Sequence, residues 1–143
     1  MTDLLRAKDR LFSGEYTIAL CKNGTTYTDT RRGIAPMLGF LEQGIDLAGF
    51  SVADRVVGKA AALLFVRAGI SAVYAAVISE PALDVLNTNA IPCEWNKKVT
   101  YIINRTSDGP CPMEHAVRNI DDPKTAEAVL REALRALQSR SEM

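Results

Sequence analysis

The sequence has no excess of charge of either sign. Its 143 residues include 17 basic and 17 acidic residues, so the formal net charge is zero. Proteins that bind nucleic acid through its phosphates usually carry a surplus of lysine and arginine on one face. The balance argues against nucleic acid as a partner, and the adjacent pairs Arg31 and Arg32, and Lys97 and Lys98, are more typical of solvated surface.

Long hydrophobic runs are also missing. The longest apolar stretch, residues 60–66, is far shorter than the roughly 20 residues that span a bilayer. The chain begins MTDLLRAKDR, which is charged and amphipathic and unlike a signal peptide. These features predict a cytoplasmic protein with no membrane partner.

Cysteine is scarce. Cys21, Cys93 and Cys111 are widely spaced, and an odd number at such spacing does not predict a disulfide framework. The plain interpretation of each is a buried or half-buried thiol. Hydrophobic residues make up 48% and charged residues 24%, near the globular average. A chain of this length is predicted to form a single domain, 1–143, with a core large enough to fold without metal or disulfides.

The order of predicted elements indicates an α/β protein. Asn23 and Gly24 lie between two β-rich runs, and this dipeptide is typical of a hairpin turn in which both positions have positive φ. Residues 71–79 form a nearly continuous apolar run, typical of a strand buried on both faces. The predicted elements are a helix at 2–12, strands at 16–22 and 25–30, helices at 33–44 and 51–69, a strand at 71–79, a helix at 81–89, a strand at 97–106, and helices at 113–120 and 123–139.

Four of these elements carry further expectations. Ser51 is predicted to cap the helix that ends at Gly69, whose middle is rich in alanine. The strands at 71–79 and 97–106 are separated by a helix, so they are predicted to be parallel, with a right-handed crossover. The helix at 123–139 has an apolar stripe that is predicted to pack on the sheet, and a dimer face is the alternative.

This layout resembles the cytidine deaminase fold, a three-layer α/β/α arrangement in which an N-terminal hairpin precedes later parallel strands. The segment GKAAALLFVRAGI (58–70) resembles the deaminase helix that opens with His-Ala-Glu or Cys-Ala-Glu. The segment AVISEPALDVL (76–86) resembles the strand and helix that carry Pro-Cys-x-x-Cys, with Pro81 on the motif proline.

The deaminase zinc chemistry is absent from those positions. The resemblance puts Gly58 at the first ligand position, Ala60 at the general acid/base position, and Ala82 and Val85 at the cysteine positions. None of these side chains can bind a metal or transfer a proton, whereas a deaminase needs three His or Cys ligands and a nearby Glu. No metal or other cofactor is therefore predicted.

The whole chain is more similar to a small uncharacterised prokaryotic family with a zinc-free cytidine-deaminase-like fold. The stretches that carry this similarity are GKAAALL (58–64) and GPCPMEHAV (109–117). The family implies the fold and does not imply an activity.

Lys59 is the first candidate catalytic residue. The resemblance puts it at the mouth of the deaminase pocket, where a lysine can hold a phosphate, act as a base or form a Schiff base. The alternative is a lysine that extends from a helix end into solvent. Asp54, one to two turns earlier in the predicted helix, is expected to share a helix rim with Lys59, unless it is an ordinary first-turn acid.

Candidate ligand-binding residues follow the late strands. Ser79 and Glu80 end one strand beside a helix start, where backbone N–H groups can hold an anion, although Ser79 is equally a plain helix cap. Arg105, with Asn104, ends the next strand. It is predicted either to bind a phosphate or carboxylate or to form a structural salt bridge.

Cys111 is the second candidate catalytic residue. It lies at a predicted helix N-terminus, which lowers a thiol pKa and favours a nucleophilic or redox role. Glu114 and His115 follow closely, and Glu114 is a candidate ligand-binding residue. The alternative is a loop that two prolines shape around a small residue. Cys93 and Trp95 are expected to serve in packing.

Three functions remain open at this point. The first is a zinc-independent protein, with or without catalysis, that binds a small anionic or nucleoside-like metabolite in the deaminase-type pocket. The second is a non-catalytic homodimeric or partner-binding module whose pocket has closed. The third is a thiol-redox protein that uses Cys111.

Overall fold

The computed structural model describes residues 2–103 and 111–141. Within them a five-stranded mixed sheet is flanked by helices, so the α/β class is confirmed. None of the described helices is long and apolar enough to cross a membrane. The elements are α1 (Asp3–Phe12), β1 (Ile18–Lys22), β2 (Thr25–Asp29), α2 (Ala35–Glu42), β3 (Ser51–Val57), α3 (Lys59–Ala68), β4 (Ala72–Ser79), α4 (Glu80–Thr88), β5 (Cys93–Val99), α5 (Pro112–Val117) and α6 (Pro123–Ser141).

The sheet has the strand order β2-β1-β3-β4-β5. Strand β1 is antiparallel to both β2 and β3, while β3, β4 and β5 are mutually parallel. The predicted hairpin is confirmed: Asn23 and Gly24 form its turn with φ of 48° and 87°. The predicted parallel relation of the two late strands is also confirmed, and β3 adds a third parallel strand.

The predicted helix at 51–69 is wrong in its first half. Ser51–Val57 is strand β3, which pairs with β1 on one side and β4 on the other, and only Lys59–Ala68 is helical. Strand β3 lies inside the sheet with a hydrophobic layer on each face, so its buried residues run consecutively from Ser51 to Asp54 and do not alternate with polar ones. Gly58, extended at φ −100° and ψ −178°, separates the strand from the helix.

The predicted strand at 97–106 is also displaced. Strand β5 spans Cys93–Val99, directly after Pro92, and residues 104–106 lie outside the described part of the chain. It is the last strand in the sheet order, and most of its side chains are exposed, so it has neither an apolar run nor an alternating pattern.

Two hydrophobic layers flank the sheet. Helix α1 packs on one face through Ala7 and Leu11, together with Ala19, Ala53 and Tyr74 of the strands. The other helices and the opposite face enclose the main core, in which Leu63, Leu64 and Phe65 of α3 are completely buried. The apolar stripe of α6 packs mainly against α3 and α5, and its Ala126 and Leu130 are fully buried. The prediction that this stripe packs on the sheet is therefore wrong, since its main partners are helices.

Arg55 joins β3 to the segment that follows α1. Its Nε donates to the carbonyl oxygen of Tyr16 at 2.7 Å, and one Nη donates to those of Leu11 at 3.1 Å and Gly14 at 3.4 Å. The guanidinium also lies 5.3 Å from the ring centroid of Phe12. One side chain thus donates hydrogen bonds both to the last turn of α1 and to the segment that follows it.

Replacing Arg55 with alanine is expected to lower the free energy of unfolding by about 2 kcal/mol, because two part-buried carbonyls and one exposed carbonyl lose their donor. Urea unfolding of R55A against wild type measures this loss. Arg6→Ala is the matched control, since Arg6 is half exposed and only pairs with Asp3 on the same helix. Equal losses in both variants would contradict the role of Arg55.

Candidate functional site

A cavity of about 310 Å³ opens beside the carboxyl end of β3. In open α/β sheets this edge, where strands give way to helix N-termini, is the usual place for a ligand. Side chains and backbone from the loop before α2, from β3, from the start of α3 and from α5 form the cavity wall. The residues that matter below are Arg32, Asp54, Gly58, Ala60, Cys111 and Glu114.

Asp54 is the buried carboxyl of this cavity. Only 8% of the residue is exposed, and burial raises the pKa of its carboxyl to about 7. The backbone amides of Val56 and Arg55 and the charge of Arg55 oppose that rise in pKa without cancelling it. Asp54 therefore changes protonation state near neutral pH, which is the property that a general acid or base needs.

The expected pairing of Asp54 with Lys59 on one helix rim is wrong. Asp54 lies in β3 and faces the cavity, whereas Lys59 is the first residue of α3. The ammonium of Lys59 lies 3.1 Å from a carboxylate oxygen of Asp121 and donates to the Arg118 carbonyl at 3.1 Å. It lines two grooves beside the cavity and is not part of the cavity wall.

The carboxylate of Glu114, a residue of α5, lies at the N-terminus of α3. Its two carboxylate oxygens accept hydrogen bonds from the backbone N–H groups of Lys59 at 2.6 Å and Ala60 at 2.7 Å. Burial raises the pKa of Glu114, and these two hydrogen bonds and the charge of Lys59 act against that rise. The amides that could hold an external anion are thus already bonded to a carboxylate of the protein itself.

Gly58 leaves the space that Glu114 fills. A Cβ atom added at this position would collide with the Glu114 carboxylate. The absence of a side chain at position 58 and the placement of Glu114 are therefore two parts of one arrangement. A metal-binding side chain at position 58 would require Glu114 to move.

The deaminase zinc set does not fit this site. Gly58 and Ala60 line the cavity without donor atoms in their side chains, Ala82 is fully buried, and Val85 is 8% exposed. Within residues 2–103 and 111–141, no three His, Cys, Asp or Glu side chains are grouped so that they could hold a metal ion.

Ser79 caps the neighbouring helix. It is completely buried, and its hydroxyl accepts a hydrogen bond from the backbone N–H of Ala82 at 3.3 Å. Glu80 is the exposed first residue of α4. Ser79 lines a groove that borders the cavity and shares Glu114 with it, so the two sites are adjacent and separate.

Cys111 lines the cavity immediately before α5, and it is partly exposed. His115 lies 2.9 Å from a guanidinium nitrogen of Arg118 through Nδ1. Arg105, the other predicted anion ligand, lies outside the described residues. Burial raises the pKa of the Cys93 thiol to about 11, which keeps that thiol protonated and fits a packing role.

Two further residues line the cavity. Arg32, for which the sequence favours a surface position over the pocket rim, is exposed and also lines the cavity. Met113 contributes apolar wall from α5. The sequence signal for the site is Asp54, the single acidic residue in the largely apolar segment SVADRVV. An acid in such a segment indicates a carboxyl group that lies in the interior on a buried strand.

The comparison with known families identifies the chain. The family model for TM1506, a domain of unknown function (DUF1893), matches residues 6–134. The chain belongs to this family. No curated protein matches it.

A solved structure of a TM1506-family member shares the fold. The crystal structure of the DUF1893 family protein TM1506 from Thermotoga maritima aligns with a TM-score of 0.81 at 25% sequence identity, over 95% of this chain and 91% of that one. The family description specifies no activity, so any function must be argued from the site.

Proposed function

We propose that the cavity binds a small nucleoside-like metabolite without zinc and that Asp54 hydrogen-bonds its base. The observation that carries this proposal is a carboxyl with a pKa of about 7 in the wall of a ligand-sized cavity. A protonated carboxyl group both donates one hydrogen bond and accepts another. It therefore matches the adjacent donor and acceptor on the edge of a nucleobase, and the apolar wall suits the base faces.

The charges in the cavity favour a nucleoside over a simple anion. Asp54 and Glu114 are both acids, Lys59 is engaged outside the cavity, and the α3 amides are bonded to Glu114. Arg32 at the opening supplies a cation for a phosphate, which extends the proposal to nucleotides. An anion placed beside Asp54 and Glu114 would meet two carboxyl groups, whereas a nucleotide can direct its phosphate to Arg32 and its base to Asp54.

The proposal includes a deaminase-like origin for the fold. Two features support it: the strand order β2-β1-β3-β4-β5, and the position of α3 and α4 directly after β3 and β4. The cavity touches Gly58 and Ala60, the positions that correspond to the deaminase ligand and acid/base residues. In such a pocket Asp54 is the group suited to any acid–base step.

Thermal shifts test this proposal. Wild type, Asp54→Ala and Asp9→Ala are screened at pH 6 and pH 8 against cytidine, adenosine, their 5′-monophosphates, glucose 6-phosphate and succinate. A compound present at about 100 times its Kd adds about 2.7 kcal/mol of stability, which raises Tm by several degrees. We expect a nucleoside or nucleotide to raise the Tm of wild type. The rise should be larger at pH 6 than at pH 8, since only the protonated carboxyl of Asp54 can donate a hydrogen bond to the base.

Asp9 provides the matched control. It is an exposed aspartate on α1, on the opposite face of the sheet, so Asp9→Ala makes the same chemical change away from the cavity. The ligand-induced shift of Asp9→Ala should equal that of wild type, and that of Asp54→Ala should be lost. An equal shift in all three proteins, or no shift with any nucleoside or nucleotide, would contradict the proposal.

A further inference from the structure

The exposed edge of the sheet at β5 is a surface that the proposed function does not use. Among the described residues β5 pairs only with β4, and Glu94 to Lys98 are all exposed. Trp95, the only tryptophan of the chain, is 41% exposed there. A strand edge with free backbone groups can pair with another strand, and an exposed tryptophan is typical of contact surfaces.

The hydrogen-bond pattern shows which residues face outward. The Val73 N–H donates to the Pro92 carbonyl at 3.0 Å, and Val73 lies beside Cys93 in the parallel register. In a regular parallel ladder, this directs the N–H and C=O groups of Glu94, Asn96 and Lys98 toward β4. The backbone groups of Trp95 and Lys97 then point away from the sheet.

The sequence of β5 is complementary to itself in the antiparallel direction. A two-fold axis at Asn96 sets Glu94 opposite Lys98 and Trp95 opposite Lys97, each pair occurring twice. The outward backbone groups of Trp95 and Lys97 form the hydrogen-bonded pair that this register needs. Glu94 and Lys98 fall at the close, non-hydrogen-bonded positions, where side chains interact most strongly.

We infer that β5 pairs with β5 of a second copy of this chain, which joins two five-stranded sheets into one. Two Glu94–Lys98 ion pairs and two Trp95–Lys97 cation–π contacts set the register. The charge pattern of the strand singles out a second copy as the occupant, because each side chain finds its complement in the same sequence. This interface places the dimer contact at the sheet edge and leaves the stripe of α6 in the core.

Charge reversal tests the interface. We expect sedimentation equilibrium at about 100 µM to give the mass of two chains for wild type. Glu94→Lys and Lys98→Glu should each weaken dimerisation at least tenfold, since each sets like charges opposite one another. The double variant E94K/K98E, and a mixture of the two single variants, should dimerise again because each restores both ion pairs.

Two further variants complete the test. Lys97→Pro removes an outward N–H without touching the bonds to β4, so it should abolish dimerisation while the circular dichroism stays unchanged. Lys124→Glu, a charge reversal at an exposed position in α6, should leave the dimer intact. A monomeric wild type, or a dimer that neither single reversal weakens, would overturn the inference.

Discussion

Asp54→Asn is expected to raise the free energy of unfolding at pH 8 by about 4 kcal/mol. The variant removes the unfavourable free energy of burying a charged carboxylate. That same burial raises the pKa of Asp54 from 3.8 to about 7. Each unit of pKa difference between the folded and unfolded states is worth about 1.4 kcal/mol. Asparagine has the same shape and carries no charge, so it avoids this cost.

The sign of the effect fixes its pH dependence. Because the folded-state pKa is raised, the folded protein binds the proton more tightly than the unfolded chain does. Wild-type stability is therefore fully present below pH 3.8 and is lost as the pH rises to about 7. The advantage of Asp54→Asn should grow across that interval and remain constant above it.

Urea unfolding of wild type and Asp54→Asn at several pH values measures this difference. Above pH 7 the Tm of the variant should be higher by on the order of 10 °C. Asp9→Asn should stay within about 0.5 kcal/mol of wild type at every pH. A pH-independent difference, or a variant less stable than wild type at pH 8, would show that Asp54 is not a buried titrating acid.

The second large effect is expected at Glu114. Glu114→Ala should lower the free energy of unfolding by about 3 kcal/mol, because the Lys59 and Ala60 amides lose a charged acceptor in a part-buried place. Glu114→Gln keeps one carbonyl oxygen and should lose about half as much. Differential scanning calorimetry should show the Tm of Glu114→Ala reduced by about 10 °C.

Glu132→Ala supplies the comparison for this prediction. Glu132 is an exposed glutamate of α6, and its removal should change stability by less than about 0.5 kcal/mol. If Glu114→Ala were as stable as Glu132→Ala, the N-terminus of α3 would not depend on the Glu114 carboxylate. The explanation given for Gly58 would then be wrong as well.

The parts of the fold that sequence predicts well are those with strong local signals. The turn at Asn23 and Gly24, the buried run of β4 and the apolar stripe of α6 each depend on residues close together in the chain. The division between β3 and α3 is harder to predict, since SVADRVV and KAAALLF are both apolar and only Gly58 lies between them. Strand β5 is exposed and polar, so no periodicity marks its limits.

The candidate site shows a similar limit. Asp54, Cys111 and Glu114 were all predicted as site residues, and the structure brings them to one cavity. Their roles depend on contacts that no local pattern encodes, since the bonds from Glu114 to α3 join residues 54 and 55 positions apart. Lys59 and Ser79 lie beside the cavity, where the Lys59 ammonium contacts Asp121 and the Arg118 carbonyl and Ser79 caps α4.

The most direct test of the account is an amide NMR titration of the ¹⁵N-labelled protein with cytidine and adenosine monophosphate. If the cavity is the ligand site, the chemical-shift changes should be confined to residues around it, with Asp54, Gly58, Ala60 and Glu114 among them, and they should disappear in Asp54→Ala. Shifts that cluster on another surface, or no shifts at millimolar ligand, would contradict the claim that this cavity binds a nucleoside-like metabolite.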